Sequence, residues 1–440
     1  MADRVKKSFF YNIQHEIENA NLEKEEKAFK LKKFVFPIPV HSFPAHSAGF
    51  SESFMIWITL LLLTIAYAPC SIGFSLPVSR KLRPVIALVL FLLAIGIQVV
   101  LFAGILPRAV LLPAAWLSGI LIFATPFFFL RDLVLLVLHL MKRRIPNQKY
   151  VIAGILILSG SLASWGEYCA VTPPEVKHLE MRWDIPEALD GFKIVYISDT
   201  HISKISSPLY LWTVVCRTNA LKPDVVLLGG DLGDLKPDEI RPNMHQLGDL
   251  HSKYGVYSAP GNHEYFRGFE VWIEFLDSVG IESLLNRHVV IEHNGEKIVI
   301  AGVPDEARNN PVYEGRELPD LDKTLAGAPE GAPVILMAHK PQFAHDYAAH
   351  GGITLQLSGH THGGMVAGLP VLLVKRANKG FVSGLYRVGD MDLYVSNGAG
   401  IWNGFLFRLG VPSEITEIVL RAAKHPAEKA EEPKSETPLN

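Results

Sequence analysis

The sequence predicts a two-part protein, an N-terminal all-α transmembrane bundle of four helices followed by an α/β domain. Long apolar runs are concentrated in the first third of the chain. Beyond them the apolar runs shorten to strand length. Five of the short runs end in a segment bearing Asp, Asn or His, and buried strands of an open α/β sheet deliver functional groups at their carboxyl ends in this way.

At 440 residues the chain exceeds one ordinary domain, and 49% apolar residues with a mean hydropathy of +0.22 is high for a wholly soluble protein. A formal charge of -2, with no long basic block beside aromatics, gives no argument for a nucleic-acid partner. Cys70, Cys169 and Cys216 are too widely separated for a disulfide framework or a zinc-knuckle spacing.

Residues 1–53 read as a charged tail and linker. Within 1–33 the charges are mixed in sign, and Phe10, Ile13 and Ile17 recur at helical spacing. That fits either an amphipathic helix lying on a membrane or a solvated, partly helical tail. No secretory signal peptide fits, because the first long apolar run starts only near residue 54. Residues 34–53 hold Pro37, Pro39, Pro44 and Gly49 and read as linker.

The four-helix region covers 54–170. The runs 54–76, 84–106 and 110–130 each reach the length of about 20 residues that a bilayer-crossing helix needs. The fourth run, 150–165, is shorter and would span a thin region or lean on Tyr150, Trp165 and Tyr168 at its ends. Arg131 and Asp132 interrupt an apolar stretch that continues to Met141. They read either as a functional intramembrane pair or as mutual pairing and snorkelling near a helix end.

The α/β domain covers 171–423, with Thr172-Pro173-Pro174 as its linker. Its expected buried strands are 193–198, 224–228, 256–259, 334–337 and 353–357. Residues 289–303 read as a hairpin around Asn294-Gly295, the pair preferred in two-residue type I′ turns. Residues 305–333, rich in Asp, Glu, Gly and Pro, read as a surface loop on the active-site side, and 393–396 and 414–420 as two further strands. The charged, proline-bearing tail at 424–440 is expected to be disordered.

The segments at the strand ends are Asp199-Thr200-His201, Gly230-Asp231 with Asp234, Gly261-Asn262-His263-Glu264, Ala338-His339, and Ser358-Gly359-His360-Thr361-His362-Gly363-Gly364. Neutral imidazole and carboxylate oxygen are donors for divalent first-row metals, and one carboxylate can bridge two ions. Asp199, His201, Asp231, Asn262, His339, His360 and His362 make a donor set that suits two divalent metal ions sharing Asp231. The neighbouring glycines let short side chains converge. His245, His251, His288, His293 and His345 fall outside the pattern and read as surface residues.

The order Asp-x-His, Gly-Asp-x-x-Asp, Gly-Asn-His-Glu, His, Gly-His-x-His resembles the calcineurin-like metallophosphoesterases over roughly residues 175–421. Within them the chain looks like the bacterial membrane-anchored branch, some of whose members act on a UDP-linked diacylated glucosamine in lipid A synthesis. The likeness extends to Pro412-Ser413-Glu414-Ile415-Thr416 and departs at Met365, where family members carry Gln after His-Gly-Gly. The resemblance implies two mixed sheets flanked by helices and a dinuclear site that hydrolyses phosphoric ester or pyrophosphate bonds. It also implies that Asp199, His201 and His362 hold one ion, that Asn262, His339 and His360 hold the other, and that Asp231 bridges. His263 then matches the non-ligand histidine that protonates the leaving oxygen. Asp234 matches the acid that orients its ring, or else it caps a turn. Donor chemistry leaves Mn, Fe and Zn open, with Mn favoured.

The apolar stretches 369–374 and 401–409, the latter with Trp402, Phe405 and Phe407, lie beside Lys375, Arg376, Lys379 and Arg408. They suit a lip for a lipid with a phosphate head, and ordinary core packing explains them equally. A metal-binding membrane sensor without turnover would be expected to have lost a ligand or His263, and every matching position is kept. A transporter-associated domain is disfavoured because the spans hold no run of polar residues beyond Arg131 and Asp132. Short basic loops stay cytoplasmic. Arg80, Lys81, Arg83, Lys142, Arg143, Arg144 and Lys149 fall on the loops after the first and third runs, so the catalytic domain is expected on the non-cytoplasmic face of the cell (inner) membrane.

Overall fold

The computed structural model describes residues 64, 66–76, 78–144, 147–306 and 311–423. The expected tail and linker at 1–53, most of the first apolar run and the tail at 424–440 lie outside the described residues. Residues 66–75 are helical. They are followed by α1 (Leu82–Ala103), α2 (Arg108–Leu140) and α3 (Lys149–Val171). These three helices have mean hydropathies of 3.0, 2.2 and 1.3 and are long and apolar enough to cross a membrane.

Two boundaries differ from the sequence reading. The fourth apolar run is no short segment: α3 has 23 residues, about 34 Å at 1.5 Å per residue. The third run continues to Leu140 in a 33-residue helix that carries Arg131 and Asp132 inside it rather than near its end. Arg131 Nε donates to Asp132 Oδ1 at 2.8 Å, while Asp132 Oδ2 accepts from the Tyr67 hydroxyl at 2.8 Å and from Ser71 Oγ at 2.9 Å. The pair is neutralised locally and tied to the helical segment 66–75, which makes it tolerable at membrane depth.

The α/β domain holds two six-stranded mixed sheets. Sheet one contains β1 (Glu175–Trp183), β2 (Lys193–Ile197), β3 (Val225–Leu228), β4 (Val256–Ser258), β5 (Glu282–Ser283) and β12 (Glu414–Ala422), in the order β1-β12-β2-β3-β4-β5. Sheet two contains β6 (Arg287–His293), β7 (Glu296–Gly302), β8 (Val334–Met337), β9 (Leu355–Ser358), β10 (Gly384–Val388) and β11 (Met391–Val395), in the order β10-β11-β9-β8-β7-β6. The β2-β3-β4 and β7-β8-β9 pairings are parallel. Their strands are buried on both faces, which is why they read as continuous apolar runs. In β2, Ile194 and Tyr196 face the core between the sheets, where they meet Ile298, Ile335 and Leu355. Val195 and Ile197 face the opposite side, against Leu211 and Val214 of α4 (Pro208–Ala220) and Trp272 and Phe275 of α5 (Asn262–Ser278). The Asn294-Gly295 hairpin forms as expected, with both residues at positive φ, 53° and 87°.

Strand β1 was not legible as such. Its sequence is polar, yet it pairs in parallel with β12 from Glu175 opposite Glu414 to Trp183 opposite Ala422. The segment after Val303 is also more than a surface loop: Asp305 is buried, accepting from the Lys340 ammonium and the Tyr313 hydroxyl at 2.6 Å each.

The membrane helices and the α/β domain share one apolar seam. Leu101, Leu111, Ala115 and Ala170 pack with Ile205, Ile401 and Leu406, and Met365 lies against this cluster. The departure from the family pattern at Met365 is therefore a packing substitution: an apolar residue stands where the loop meets the bundle. Phe407 is buried against α2 and α3, and a Cβ at Gly119 would collide with its ring.

Candidate metal centre

All five donor segments leave carboxyl ends of strands in the two sheets and converge between them. Their loops bond to one another: the Asp199 N–H donates to the Gly230 carbonyl at 2.9 Å, His201 to Asp231 at 3.1 Å, and Gly359 to His339 at 3.0 Å. Asp199, His201, Asp231, His360 and His362 hold left-handed backbone conformations, with φ from 43° to 68°. Five side-chain-bearing residues of this kind in one place store strain of about 1–3 kcal/mol each, which concentrates at functional sites.

Asp199, His201 and His362 form one group whose donor atoms lie within 4.8 Å of one another, and Asp231, His339 and His360 form a second. A third overlapping group joins His201, Asp231 and His263. Asp231 Oδ1 accepts from the His263 backbone N–H at 2.7 Å, leaving Oδ2 to face His339 Nε2 at 3.2 Å and His201 Nε2 at 3.7 Å. The side chains of Asp199, Asp231 and His339 are almost wholly buried.

The second layer of contacts fixes which ring nitrogens face inward. His201 Nδ1 lies 2.7 Å from Asp234 Oδ1, and His339 Nδ1 lies 2.8 Å from the Gly229 carbonyl. Each is an N–H donor there, so each Nε2 presents a lone pair to the centre. Asp234 also touches His263, whose Nδ1 is 2.8 Å from the same Oδ1. The sequence reading gave Asp234 a role toward His263 only, and the structure shows the carboxylate shared with His201.

The donor set fits metal ions on this chain's own geometry. His201 Nε2 and His362 Nε2 lie only 3.0 Å apart, a spacing that a shared proton or a cation beside both rings satisfies. Asn262 Oδ1 and His339 Nε2 are buried with no aligned hydrogen-bond partner, the state expected of ligand atoms and otherwise costly. Burial pushes the Asp231 carboxyl up, but the imidazoles of His339, His263 and His201 outweigh it and hold the group well below the ordinary carboxylate range. Burial, reinforced by His339 and Lys340 at His360 and by His201 and Arg408 at His362, keeps both imidazoles well below the usual histidine range, as neutral donors.

Two further residues support the donor loops, Glu264 without an expected role and Arg408 with a different one. The Glu264 carboxylate accepts from the backbone N–H groups of Gly261 and Leu232 at 2.7 Å each and of Asp231 at 2.9 Å, fixing the donor loops together. Glu264 stands in the Gly-Asn-His-Glu segment, so its position was visible but its duty was not. Arg408 was expected at an exposed lip and is instead 1% exposed. Its guanidinium donates to the carbonyls of Gly400 at 2.6 Å and Asn397 at 2.7 Å and reaches the His362 carbonyl at 3.5 Å. Of the two apolar stretches, 401–409 is core packing, with Ile401, Leu406 and Phe407 buried. Among the unassigned histidines, His293 is buried rather than on the surface, edge-on to Phe192 at 5.0 Å.

A family model for calcineurin-like phosphoesterases matches residues 192–364, which hold all seven donors, His263 and Asp234. A Campylobacter jejuni protein named an uncharacterized metallophosphoesterase is 32% identical over 300 residues, covering 67% of this chain and 77% of its own. The chain belongs to the calcineurin-like metallophosphoesterase family. An uncharacterized metallophosphoesterase of Bacillus subtilis is 33% identical over 251 residues, 54% of this chain and 82% of its own. A zebrafish (Danio rerio) protein named a transmembrane protein with metallophosphoesterase domain is 36% identical over 275 residues, 61% of this chain, and the chain spans 62% of that relative's length. The family is one of phosphoric-ester hydrolases, and among the described residues three helices are long and apolar enough to cross a membrane.

Proposed function

We propose that this metallophosphoesterase is a dinuclear enzyme that hydrolyses a phosphodiester or pyrophosphate bond at the membrane surface, in a substrate linked to lipid. The observation that carries the reading is the position of Asp231, grouped with His339 and His360 and 3.7 Å from His201 of the other donor group, with Asn262 Oδ1 and His339 Nε2 left without aligned hydrogen-bond partners. Asp199, His201 and His362 would hold one ion and Asn262, His339 and His360 the other, with Asp231 shared; manganese is favoured, and iron and zinc suit the same donors. When bound, such a pair of ions acidifies water and neutralises phosphoryl oxygens during in-line displacement.

The protein's own residues supply the rest. Burial alone would depress the His263 imidazole, but Asp231 and Asp234 overcome it and push it up to about 9, so the ring is protonated at neutral pH. Its Nδ1 is held by Asp234, which leaves Nε2 to give a proton to the leaving oxygen. Asp234 sets the His201 ring through the same oxygen. Glu264 ties the loops of Asp231 and Gly261 together, and Arg408 braces the 397–400 turn whose Gly400 N–H donates to the Asp199 carbonyl.

The basic loops lie at the ends of α2 and α3 away from the catalytic domain, with Lys142, Arg143, Arg144 and Lys149 there, while the near side has Arg108 between α1 and α2 and only Lys177 and Arg182 just after α3. The positive-inside rule then favours a non-cytoplasmic catalytic domain. A UDP-linked diacyl sugar, met on the cytoplasmic face, fits that orientation poorly, so a lipid-linked phosphodiester or pyrophosphate of the outer side is the better substrate class. The deciding experiment is a hydrolysis screen of the detergent-purified protein with added Mn, Fe or Zn, using an aryl phosphodiester, an aryl monoester and a UDP-linked diacyl sugar. Metal-dependent turnover of the diester above the monoester is expected. Metal binding with no turnover of any of the three would favour a sensor instead.

A further inference from the structure

The loop that carries the last donors runs straight to the membrane bundle. Val366 forms a parallel bridge with Leu409, and the Ala367 N–H donates to the Leu409 carbonyl at 2.9 Å. Arg408, next to it, donates its backbone N–H to the Gly166 carbonyl of α3 at 3.0 Å. Gly166 stands between Trp165 and Tyr168, which are 61% and 59% exposed on the outside of the bundle and stacked at 5.5 Å. Trp and Tyr so placed settle at the headgroup level of a bilayer.

The next helix after Val366, α7 (Leu369–Ala377, after α6 at Ala344–His350), begins three residues on, hence within about 11 Å of Val366 itself. One side of α7 packs on the donor loop: Val374 is buried, and a Cβ at Gly364 would meet Val371 at 3.0 Å. The other side is open. Leu372 is 62% exposed, and Lys375 and Arg376, three and four residues on and so on the same face, are exposed too. Among the described residues neither cation has an ion-pair partner. An exposed leucine backed by two free cations, on a helix whose preceding loop is tied to the Trp165–Tyr168 end of the bundle, complements an anionic lipid surface.

We propose that α7 lies on the bilayer, with Leu372 among the acyl chains and Lys375 and Arg376 on the phosphates of anionic lipids, and that it presents lipid-borne phosphoesters to the metal centre. The docking stands by itself; the presentation of substrate rests on the phosphodiesterase reading above. The full chain, with Cys70, Cys169 and Cys216 replaced by serine, is labelled at Leu372→Cys with a nitroxide and reconstituted in vesicles of phosphatidylcholine alone or with phosphatidylglycerol. Collisions with lipid-soluble oxygen should exceed those with a water-soluble nickel chelate, more so with phosphatidylglycerol. Lys375→Glu with Arg376→Glu should remove that lipid dependence, at roughly fivefold in lipid preference per cation. A label that meets the chelate freely in both vesicles overturns the docking.

In unlabelled protein the same double variant is assayed on two aryl phosphodiesters, one soluble and one esterified to diacylglycerol. Presentation predicts a loss of fivefold or more on the lipid ester with the soluble ester unchanged, and equal losses overturn it. If the label enters the lipid while wild type cleaves neither ester, the phosphodiesterase reading has failed and the docking remains.

Discussion

Phe407 fills the space that a side chain at Gly119 would occupy. One residue belongs to the loop that holds the donor segments and the other to a membrane-crossing helix, so the bundle does more than tether the catalytic domain. Phe407 also meets Phe123 edge-on at 5.5 Å, and its neighbour Arg408 binds the carbonyls of Asn397 and Gly400. Displacing the ring should therefore disturb a centre to which Gly119 contributes no atom.

Gly119→Leu should lower thermal stability by about 1–3 kcal/mol through overpacking and, by shifting the Arg408 loop, cut hydrolysis by roughly 10²-fold. Gly154→Leu is the matched control, because nothing lies within 4 Å of a Cβ there. Melting curves and initial rates in detergent check both. Normal rates in the Gly119 variant would show that the bundle and the site are independent.

Asp231 belongs to the group with His339 and His360 and also to the one with His201 and His263, whereas His339 belongs to one. Asp231→Asn should accordingly lower total metal content more than His339→Ala, as read by elemental analysis of the purified variants. Equal metal in wild type and Asp231→Asn would sink the two-ion assignment.

His263→Ala separates chemistry from binding. If the ring is an acid rather than a ligand, the variant keeps about two metals per chain and loses roughly 10²–10⁴-fold in rate. The loss should shrink for leaving groups that need no proton. Metal loss in this variant would instead favour the group that joins His263 to His201 and Asp231.

Glu264 accepts three backbone N–H groups in the buried donor loops. Glu264→Ala should destabilise the domain by on the order of 3 kcal/mol, since unsatisfied buried donors cost about 1–3 kcal/mol each. Metal affinity should fall with it although Glu264 is no ligand. Unchanged melting and metal content would mean that water replaces the carboxylate.

The proposed non-cytoplasmic orientation rests on the charge pattern and on an α3 long enough to span. A reporter active only outside the cytoplasm, fused after Leu420, should give signal. A silent reporter with a stable fusion would place the catalytic domain inside and return the UDP-linked lipid to first place among substrates.

Everything that depends on residue type at a local position was legible in the chain by itself. The donors stand where apolar runs end, because strands buried on both faces are written as uninterrupted Val, Ile and Leu, and the chemistry must then sit on the loop that follows. Asn294-Gly295 specified its hairpin because both residues tolerate positive φ, and the apolar runs announced the bundle by length. What only the tertiary structure decided are the partners of residues whose local signal points elsewhere. Strand β1 looks like solvated linker because its register with β12, not its composition, makes it a strand. Arg408 reads as a surface cation, yet it is buried because backbone carbonyls from distant turns satisfy its guanidinium. Phe407 reads as a lipid lip or as core, and the choice fell to small residues of the membrane helices far away in sequence. Contacts between segments that far apart depend on how the helices and sheets are brought together, and no local window of sequence contains that information.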